Sequence, residues 1–158
     1  MSIAPVTCEV ETKAAPARAF ELFTSRMTEW WGSRTPAPKP AVAVIVEPFA
    51  GGRWFERAAD GEETLWGRVV AWEPPERLVL GWQLNGDFVF DPHLLTEVEI
   101  RFLKLAQGGT RVTLEHRDLE RFGARAGEMA GKVGIGWPRQ FGQFVAFSDG
   151  LAVREAVR

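Results

Sequence analysis

Glu56 is the first side chain whose position suggests chemistry, because it shares one face of a predicted strand with Trp54. On a concave sheet face, Glu56 would be a carboxylate inside an apolar pocket and could act as a general acid or base. On a convex face it would be a solvated partner for an arginine. The sequence leaves both interpretations open, and we prefer the second as the more ordinary.

His116 is the second candidate, because it follows Val112 and Leu114 on the inward register of a strand. An imidazole at the end of a cavity can hydrogen-bond a ligand or shuttle a proton. The more ordinary alternative is a histidine at a strand end that bonds to nearby backbone. His93 follows an Asp-Pro pair in a loop, and we expect it to be exposed.

Tryptophan is abundant in this chain, with seven Trp, eleven Phe and no Tyr. Trp30 and Trp31 are adjacent, so on a helix their side chains would point about 100° apart. One of them could close the mouth of a cavity while the other faces outward. Ordinary packing between short helices and the sheet is the alternative.

Several other kinds of chemistry are excluded by composition and spacing. A single cysteine, Cys8, cannot form an internal disulfide or a cysteine-based zinc site, and no spaced metal ligands occur. Gly131-Lys132 resembles a phosphate loop, but Ala126 and Val133 stand where its glycine and hydroxyl residue would be needed. We therefore expect no cofactor and no metal.

The net charge and the hydropathy of the chain give no sign of a nucleic-acid partner or of a membrane span. The formal net charge is −2, without the basic surplus typical of nucleic-acid binders. No apolar run approaches the about 20 residues that cross a bilayer, and the N-terminus lacks the pattern of a secretion signal. We expect a cytoplasmic protein, and 158 residues predict one domain over 1–158, with a core over 6–149 and a C-terminal tail over 150–158.

These candidate residues must be positioned by a mainly β chain. A strand over 6–10 precedes a helix over 16–24 and a short helical turn that ends at Gly32. Alternating residues and turn signals then predict six strands in an antiparallel meander. They cover 42–46, 53–57, 64–72, 77–84, 96–105 and 110–116.

The C-terminal region is predicted from its glycines and its proline. Residues 119–136 contain five glycines, each costly inside a helix, so we predict a loop with weak helical turns. A helix is expected to begin near Trp137-Pro138, to end at Ser148 or Asp149, and to be stopped by Gly150. Gly67 and Gly81 fall inside strands and predict bulges or bends that curve the sheet.

The resulting fold class is α+β, with a curved seven-stranded antiparallel sheet wrapped around a long C-terminal helix and two short helices after the first strand. One helix rarely fills the concavity of so large a sheet, so an internal cavity for a small molecule is expected. The candidate lining residues are Trp30, Trp54, Glu56, Val69, Leu80, Trp82, Val98, Ile100, Phe102, Leu114, His116, Trp137, Phe141 and Val145.

A family resemblance rests on an ordered set of short motifs that spans roughly residues 6–147. In that order and spacing the chain resembles the homologues of the heat-shock-protein-90 ATPase activator, of the C-terminal-domain type, in the START-like (SRPBCC) superfamily. The resemblance implies a helix-grip fold with a deep hydrophobic cavity. The motifs are Phe20-Glu21-Leu22-Phe23-Thr24, Trp30-Trp31-Gly32, Gly51-Gly52-Arg53-Trp54, Gly67-Arg68-Val69, Pro74-Pro75-Glu76-Arg77-Leu78, Trp82, Leu114-Glu115-His116 and Gly136-Trp137.

Three functions are compatible with these observations. The first is non-covalent binding of a small hydrophobic molecule, oriented by Glu56 and His116. The second is a cyclase- or hydrolase-like enzyme that acts on an aromatic or polyketide-type substrate and needs an acid or base facing the cavity. The third is a stress-related interaction module with a chaperone partner, which predicts an exposed apolar patch and a closed cavity. A homodimer through a sheet edge or a surface tryptophan is also left open.

Overall fold

The computed structural model describes residues 3–156, and residues 1, 2, 157 and 158 lie outside the described part of the chain. Seven strands and three helices form an α+β fold, as predicted. The strands are β1 (Val6–Thr12), β2 (Ala41–Val46), β3 (Arg53–Ala58), β4 (Glu63–Glu73), β5 (Arg77–Trp82), β6 (Thr96–Lys104) and β7 (Thr110–Arg117). The helices are α1 (Pro16–Ser25), α2 (Met27–Trp30) and α3 (Ala126–Ala156), and a 3₁₀ segment, Leu119–Arg125, precedes α3.

The seven strands form one antiparallel sheet in the order β1-β7-β6-β5-β4-β3-β2. Strands β2 to β7 follow one another as a meander, and β1 is added at the edge of β7. The predicted antiparallel meander and the seven-stranded sheet are therefore confirmed, and the curled sheet wraps around α3 in the arrangement of a helix-grip fold.

One face of the sheet is apolar, because residues along each strand alternate between the two faces. On β6, Thr96, Val98 and Ile100 are buried, whereas Glu97 and Glu99 between them are partly exposed on the convex face. The apolar face carries the core and points toward α3.

A bulge in β4 places an additional aromatic residue on the concave side. Trp54 pairs with Gly67 and Phe55 pairs with Leu65, so Trp66 is the extra residue of the bulge. Gly67 is required here, because a Cβ at this position would lie 1.7 Å from the carbonyl oxygen of Gly81. The predicted irregularity at Gly67 is confirmed.

The predicted loop with weak helical turns over 119–136 is wrong from Ala126 onward, and so are the predicted start and end of the last helix. Helix α3 begins at Ala126, contains Pro138, passes through Gly150 and continues to Ala156. Its buried residues recur at helical spacing, so burial against the sheet outweighs the helix-breaking tendency of the glycines. These residues are Ala126, Met129, Val133, Trp137, Gln140, Phe141, Phe144 and Ser148.

Helix α1 fills much of the concave side of the sheet, which limits where a cavity can remain. Phe23 contacts Phe102 of β6 and Phe141 and Phe144 of α3, with ring centroids 5.3–5.9 Å apart. Trp30 packs between Phe23 and Phe144 and is buried. The space beneath the second half of α3 is therefore solid, and open volume is left toward the first half. Within residues 3–156, no helix is long and apolar enough to cross a membrane.

Candidate functional site

A pocket of about 480 Å³ lies between the first half of α3, strands β4 and β5, and the segment 33–36. Its wall is aromatic and its rim is polar, because Ser33, Arg34, Lys132 and Arg139 are exposed to solvent. The lining residues are Trp31, Ser33, Arg34, Thr35, Pro36, Trp66, Trp82, Leu84, Phe88, Lys132, Val133, Gly136, Trp137, Arg139 and Gln140.

Four tryptophans form the wall, and their rings contact one another. The centroid of Trp31 is 5.0 Å from that of Trp66 and 5.9 Å from that of Trp137. The ring of Trp82 is also 5.9 Å from Trp137. Such tilted and edge-to-face contacts hold each ring in a defined orientation. The four side chains therefore form a pre-arranged aromatic surface.

His116 forms a hydrogen bond with one of these rings, Trp137, from the side away from the pocket. The Nε1–H of Trp137 donates a hydrogen bond to Nδ1 of His116 over 3.1 Å, and Nε2 of His116 lies 2.8 Å from Oγ1 of Thr96. Since Nδ1 accepts, the ring proton must be on Nε2, which donates to Thr96. Burial lowers the pKa of His116 to about 3. The imidazole is thus neutral, and both of its nitrogens are engaged.

Glu56 forms the corresponding hydrogen bond with Trp66. Its Oε1 accepts the Nε1–H of Trp66 at 2.9 Å and the backbone N–H of Ala37 at 3.0 Å. The side chain is buried, so these two hydrogen bonds replace contacts with water. Glu56 lies on the concave side, and it connects the bulge of β4 to the segment that forms one side of the pocket.

Backbone carbonyl oxygens accept hydrogen bonds from the indole N–H groups of the other two tryptophans, Trp31 and Trp82. The Nε1–H of Trp31 donates to the carbonyl oxygen of Arg34 at 3.2 Å, and that of Trp82 donates to Leu84 at 2.9 Å. All four indole N–H groups of the wall are therefore bonded within the protein. The wall presents carbon edges and π surfaces to whatever enters.

Gln140 contributes a buried polar group to the lining. The Nε2 atom of Gln143 donates to the carbonyl oxygens of Trp30 and Trp31 and also contacts Oε1 of Gln140 at 3.0 Å. Because Gln143 is the donor, the Gln140 atom it contacts must be the acceptor oxygen. The Nε2 group of Gln140 has no protein partner among residues 3–156.

The structure brings two of the fourteen predicted cavity residues to the pocket, Trp82 and Trp137. Glu56 and His116 lie one layer behind its wall. Trp54 is also buried behind it, and its Nε1–H has no partner within the described residues. The remaining residues belong to the packed interior or its margin, and none of them lines the pocket: Trp30, Val69, Leu80, Val98, Ile100, Phe102, Leu114, Phe141 and Val145.

Most of the lining was not anticipated from the sequence. Lys132, Val133 and Gly136 fall in the region that was predicted to be a loop. The apolar spacing of Met129, Val133 and Trp137 was the signal that could have extended the helix over them. Trp66 was missed because the bulge reverses the alternation of its strand.

Comparison with known proteins places this architecture in a family. A family model described as "Activator of Hsp90 ATPase homolog 1-like protein" matches residues 13–149. No curated protein matches the chain in sequence. The similar solved structures include two that are more than 30% identical to this chain. Another, protein MLL2253 from Mesorhizobium loti, shares the fold at 22% identity and a TM-score of 0.66, over 95% of this chain and 97% of that one.

The first of the two is an anthrahydroquino-gamma-pyrone synthase, Txn09, with 34% identity and a TM-score of 0.65 over 91% of this chain and 96% of that one. The second is the self-sacrificing resistance protein CalC from Micromonospora echinospora, with 32% identity and a TM-score of 0.71 over 93% and 95% of the two chains. The matched family model covers nearly the whole fold, including β2 to β7 and most of α3. The chain belongs to the family of activator of Hsp90 ATPase homolog 1-like proteins, in the START-like superfamily.

Proposed function

We propose that this chain binds a small, flat aromatic molecule in the pocket bounded by Trp31, Trp66, Trp82 and Trp137. The observation that carries the proposal is the bonding of all four indole N–H groups to protein acceptors. A wall whose polar atoms are already satisfied offers ring surfaces, and ring surfaces favour stacking and edge-to-face contact with another ring.

The size of the pocket suits this role. Pockets for small molecules typically enclose about 300–1,000 Å³, and this one encloses about 480 Å³. Burial of apolar ligand surface contributes about 25 cal/mol for each Å² removed from water. Since the rings are held by their neighbours and by hydrogen bonds, little ordering of the wall has to accompany binding.

The comparisons support the same class of ligand. The synthase among the similar structures is named for an anthrahydroquino-gamma-pyrone, which is a fused aromatic ring system. That name describes the other protein. Its 34% identity to this chain makes a ring-shaped ligand a reasonable expectation here.

A catalytic role on an aromatic or polyketide-type substrate is the second candidate, favoured by the synthase activity named for that relative. It requires a proton-transferring group in contact with the ligand. Glu56 and His116, the two groups first considered for that role, are turned to Trp66 and Trp137 and lie behind the wall. This arrangement favours binding over acid–base catalysis by these residues.

A chaperone-linked interaction module is less well supported. That role predicts a closed cavity and one continuous apolar patch, whereas this pocket has a solvent-exposed rim. Large exposed apolar side chains occur on different elements, for example Val42 on β2, Leu103 on β6 and Ile135 on α3. We therefore place the function in the pocket.

The test uses N-phenyl-1-naphthylamine, a neutral aromatic probe that fluoresces when it leaves water. Gly136 lines the pocket, and the nearest atom to a Cβ placed there is 4.0 Å away, so Gly136→Phe should fit and occupy the cavity. Gly142→Phe is the matched control, since Gly142 is an exposed glycine of the same helix outside the pocket lining. We expect saturable binding by the wild type and by Gly142→Phe, with at least tenfold weaker binding by Gly136→Phe. Equal affinity of all three proteins would refute the proposed site.

A further inference from the structure

We propose that the ligand is an aromatic acid, which is a planar ring system with an anionic oxygen group held at the pocket mouth by Arg34 and Arg139. The inference rests on the proposed function and makes it more specific, because it assigns a charge to the ligand. The evidence is the distribution of charged and polar groups around the aromatic wall.

The charged side chains that line the pocket are all cationic. They are Arg34, Lys132 and Arg139, and no aspartate or glutamate is among the lining residues in the part of the chain that the structure describes. The chain as a whole carries a formal charge of −2, so this excess of positive charge is local. Cationic groups above an apolar cavity attract an anion and disfavour a cation of the same shape.

Arg34 and Arg139 have no carboxylate partner within residues 3–156, although most arginines of this protein have one. Arg53, for example, contacts Glu47 and Glu63, and Arg117 contacts Glu97. The two guanidinium groups at the mouth are therefore free to bind an external oxyanion. Arginine is well suited to this, because its planar donors match two oxygens of one acid group.

Lys132 is the third cation, and its charge is partly used within the protein. Its Nζ lies 3.1 Å from a carboxylate oxygen of Glu128 and donates to the carbonyl oxygen of Gly86 at 3.2 Å. Nζ also lies 5.4 Å from the ring centre of Phe88. These contacts hold Lys132 across one side of the pocket, so we assign the main role in anion binding to the two arginines.

The uncharged polar groups point to the same ligand. Gln140 is only 5% exposed and lines the pocket, and its oxygen accepts from Gln143, whereas its amide N–H donors have no protein partner among residues 3–156. An acceptor group of a ligand can bond these donors in place of water. Ser33 and Thr35 add hydroxyl groups, which can donate as well as accept. The lining is thus rich in donors and contains no carboxylate acceptor.

The position of Arg34 is itself fixed by the aromatic wall. Its carbonyl oxygen accepts the indole N–H of Trp31, and Trp31 follows α2 directly. The ring that would contact the aromatic part of a ligand is therefore coupled to the backbone of the residue that would contact its acid group. On the other side of the pocket, Trp137, Arg139 and Gln140 of α3 all belong to the lining, so donors and ring surface occur together there as well.

Two probes of nearly the same shape test the inference. The compound 1-anilinonaphthalene-8-sulfonate contains the same rings as N-phenyl-1-naphthylamine and adds one sulfonate. We expect the wild type to bind the sulfonate probe about tenfold more tightly, which corresponds to about 1.4 kcal/mol. Added salt should weaken binding of the sulfonate probe and leave the neutral probe nearly unaffected.

The double variant Arg34→Gln/Arg139→Gln should lose the preference for the sulfonate, so that its affinities for the two probes agree within about twofold. Arg68→Gln/Arg154→Gln is the matched control, because both residues are exposed and neither lines the pocket. It should retain the wild-type preference. Equal affinity of the wild type for the two probes, or a preference that survives in the Arg34/Arg139 variant, would overturn the inference alone. Failure of both probes to bind the wild type would overturn the proposed function.

Discussion

The indole N–H of Trp137 and the ring Nδ1 of His116 are joined by a buried hydrogen bond of 3.1 Å. This contact determines the tautomer of the imidazole and the orientation of one wall of the pocket. It also explains how an inward histidine can support the wall of the pocket without lining it. Glu56 acts in the same way on Trp66. The two polar groups are thus supports for aromatic rings.

The first prediction concerns the pH dependence of stability. In the unfolded chain a histidine takes up a proton near pH 6.5, whereas burial lowers the pKa of folded His116 to about 3. Between these values the unfolded state binds more protons, so the free energy of unfolding falls as the pH decreases. The contribution of His116 is complete above about pH 6.5 and is lost progressively toward pH 3, with a slope of up to about 1.4 kcal/mol per pH unit.

Urea unfolding of the wild type and His116→Gln between pH 7 and pH 5 measures this slope. The variant should show a clearly shallower dependence, whatever its absolute stability. If His116→Gln does not fold, ¹⁵N NMR of the wild-type ring provides the answer. The signals of His116 should remain those of the neutral Nε2–H form down to pH 5, and protonation above pH 5 would contradict the prediction.

The second prediction concerns the two hydrogen bonds that Glu56 accepts. Its Oε1 accepts from Trp66 and from the backbone of Ala37, so Glu56→Ala leaves one buried and one partly buried donor without this acceptor. We expect a loss of about 2–4 kcal/mol in the free energy of unfolding, since each unsatisfied donor costs about 1–3 kcal/mol. Glu56→Gln keeps an acceptor oxygen and should lose less than half as much.

Chemical denaturation of both variants provides the measurement, and near-ultraviolet circular dichroism reports whether the environment of the tryptophans changes. Equal destabilisation by Ala and Gln would contradict the prediction, because an acceptor oxygen at this position would then not limit the loss. Binding of N-phenyl-1-naphthylamine should be retained by Glu56→Gln, because Glu56 does not line the pocket.

The sheet could be predicted from the sequence because its signals are local. Alternation along β6 and β7, together with turn residues such as Asp60-Gly61 and Gly108-Gly109, identifies strands without knowledge of their partners. Helix α3 could not be delimited in the same way. Its glycines argue against a helix locally, and only burial of Met129 and Val133 against the rest of the fold outweighs them.

The location of the pocket depends on how elements that are distant in sequence pack against one another. Val98, Ile100 and Phe102 face inward as expected, yet they are covered by other side chains. Phe20 of α1 lies 5.1 Å from Phe102 in ring-centre distance and fills that part of the concavity. Which inward residues border open space is decided by how distant elements fill the interior, and no periodicity in the sequence reports that.

The third prediction concerns the close approach of β4 and β5. A methyl group at Gly67 would lie 1.7 Å from the carbonyl oxygen of Gly81, so the strands must separate to admit it. Gly67→Ala should therefore lower the free energy of unfolding by at least about 2 kcal/mol, as expected for overpacking of a rigid site. Thermal and urea unfolding measure the loss. A stability equal to that of the wild type would show that the sheet can open at the bulge.

The final prediction concerns the glycines on the exposed side of α3. Gly131 and Gly142 are exposed, and a Cβ at either position has no heavy atom within 4 Å other than those of the helix itself and the adjacent residues. Alanine should fit there without strain and favour the helical state by about 1 kcal/mol at each site. For a chain of this size, that corresponds to a rise of about 2–4 °C in melting temperature for each substitution. The effects should add, because the two positions lie on different turns and share no partner.

Calorimetry of the two single variants and the double variant is the measurement, and unchanged probe binding is expected because neither glycine lines the pocket. A decrease in melting temperature for both would mean that α3 requires these glycines, contrary to the view that burial of its inner face alone stabilises the helix.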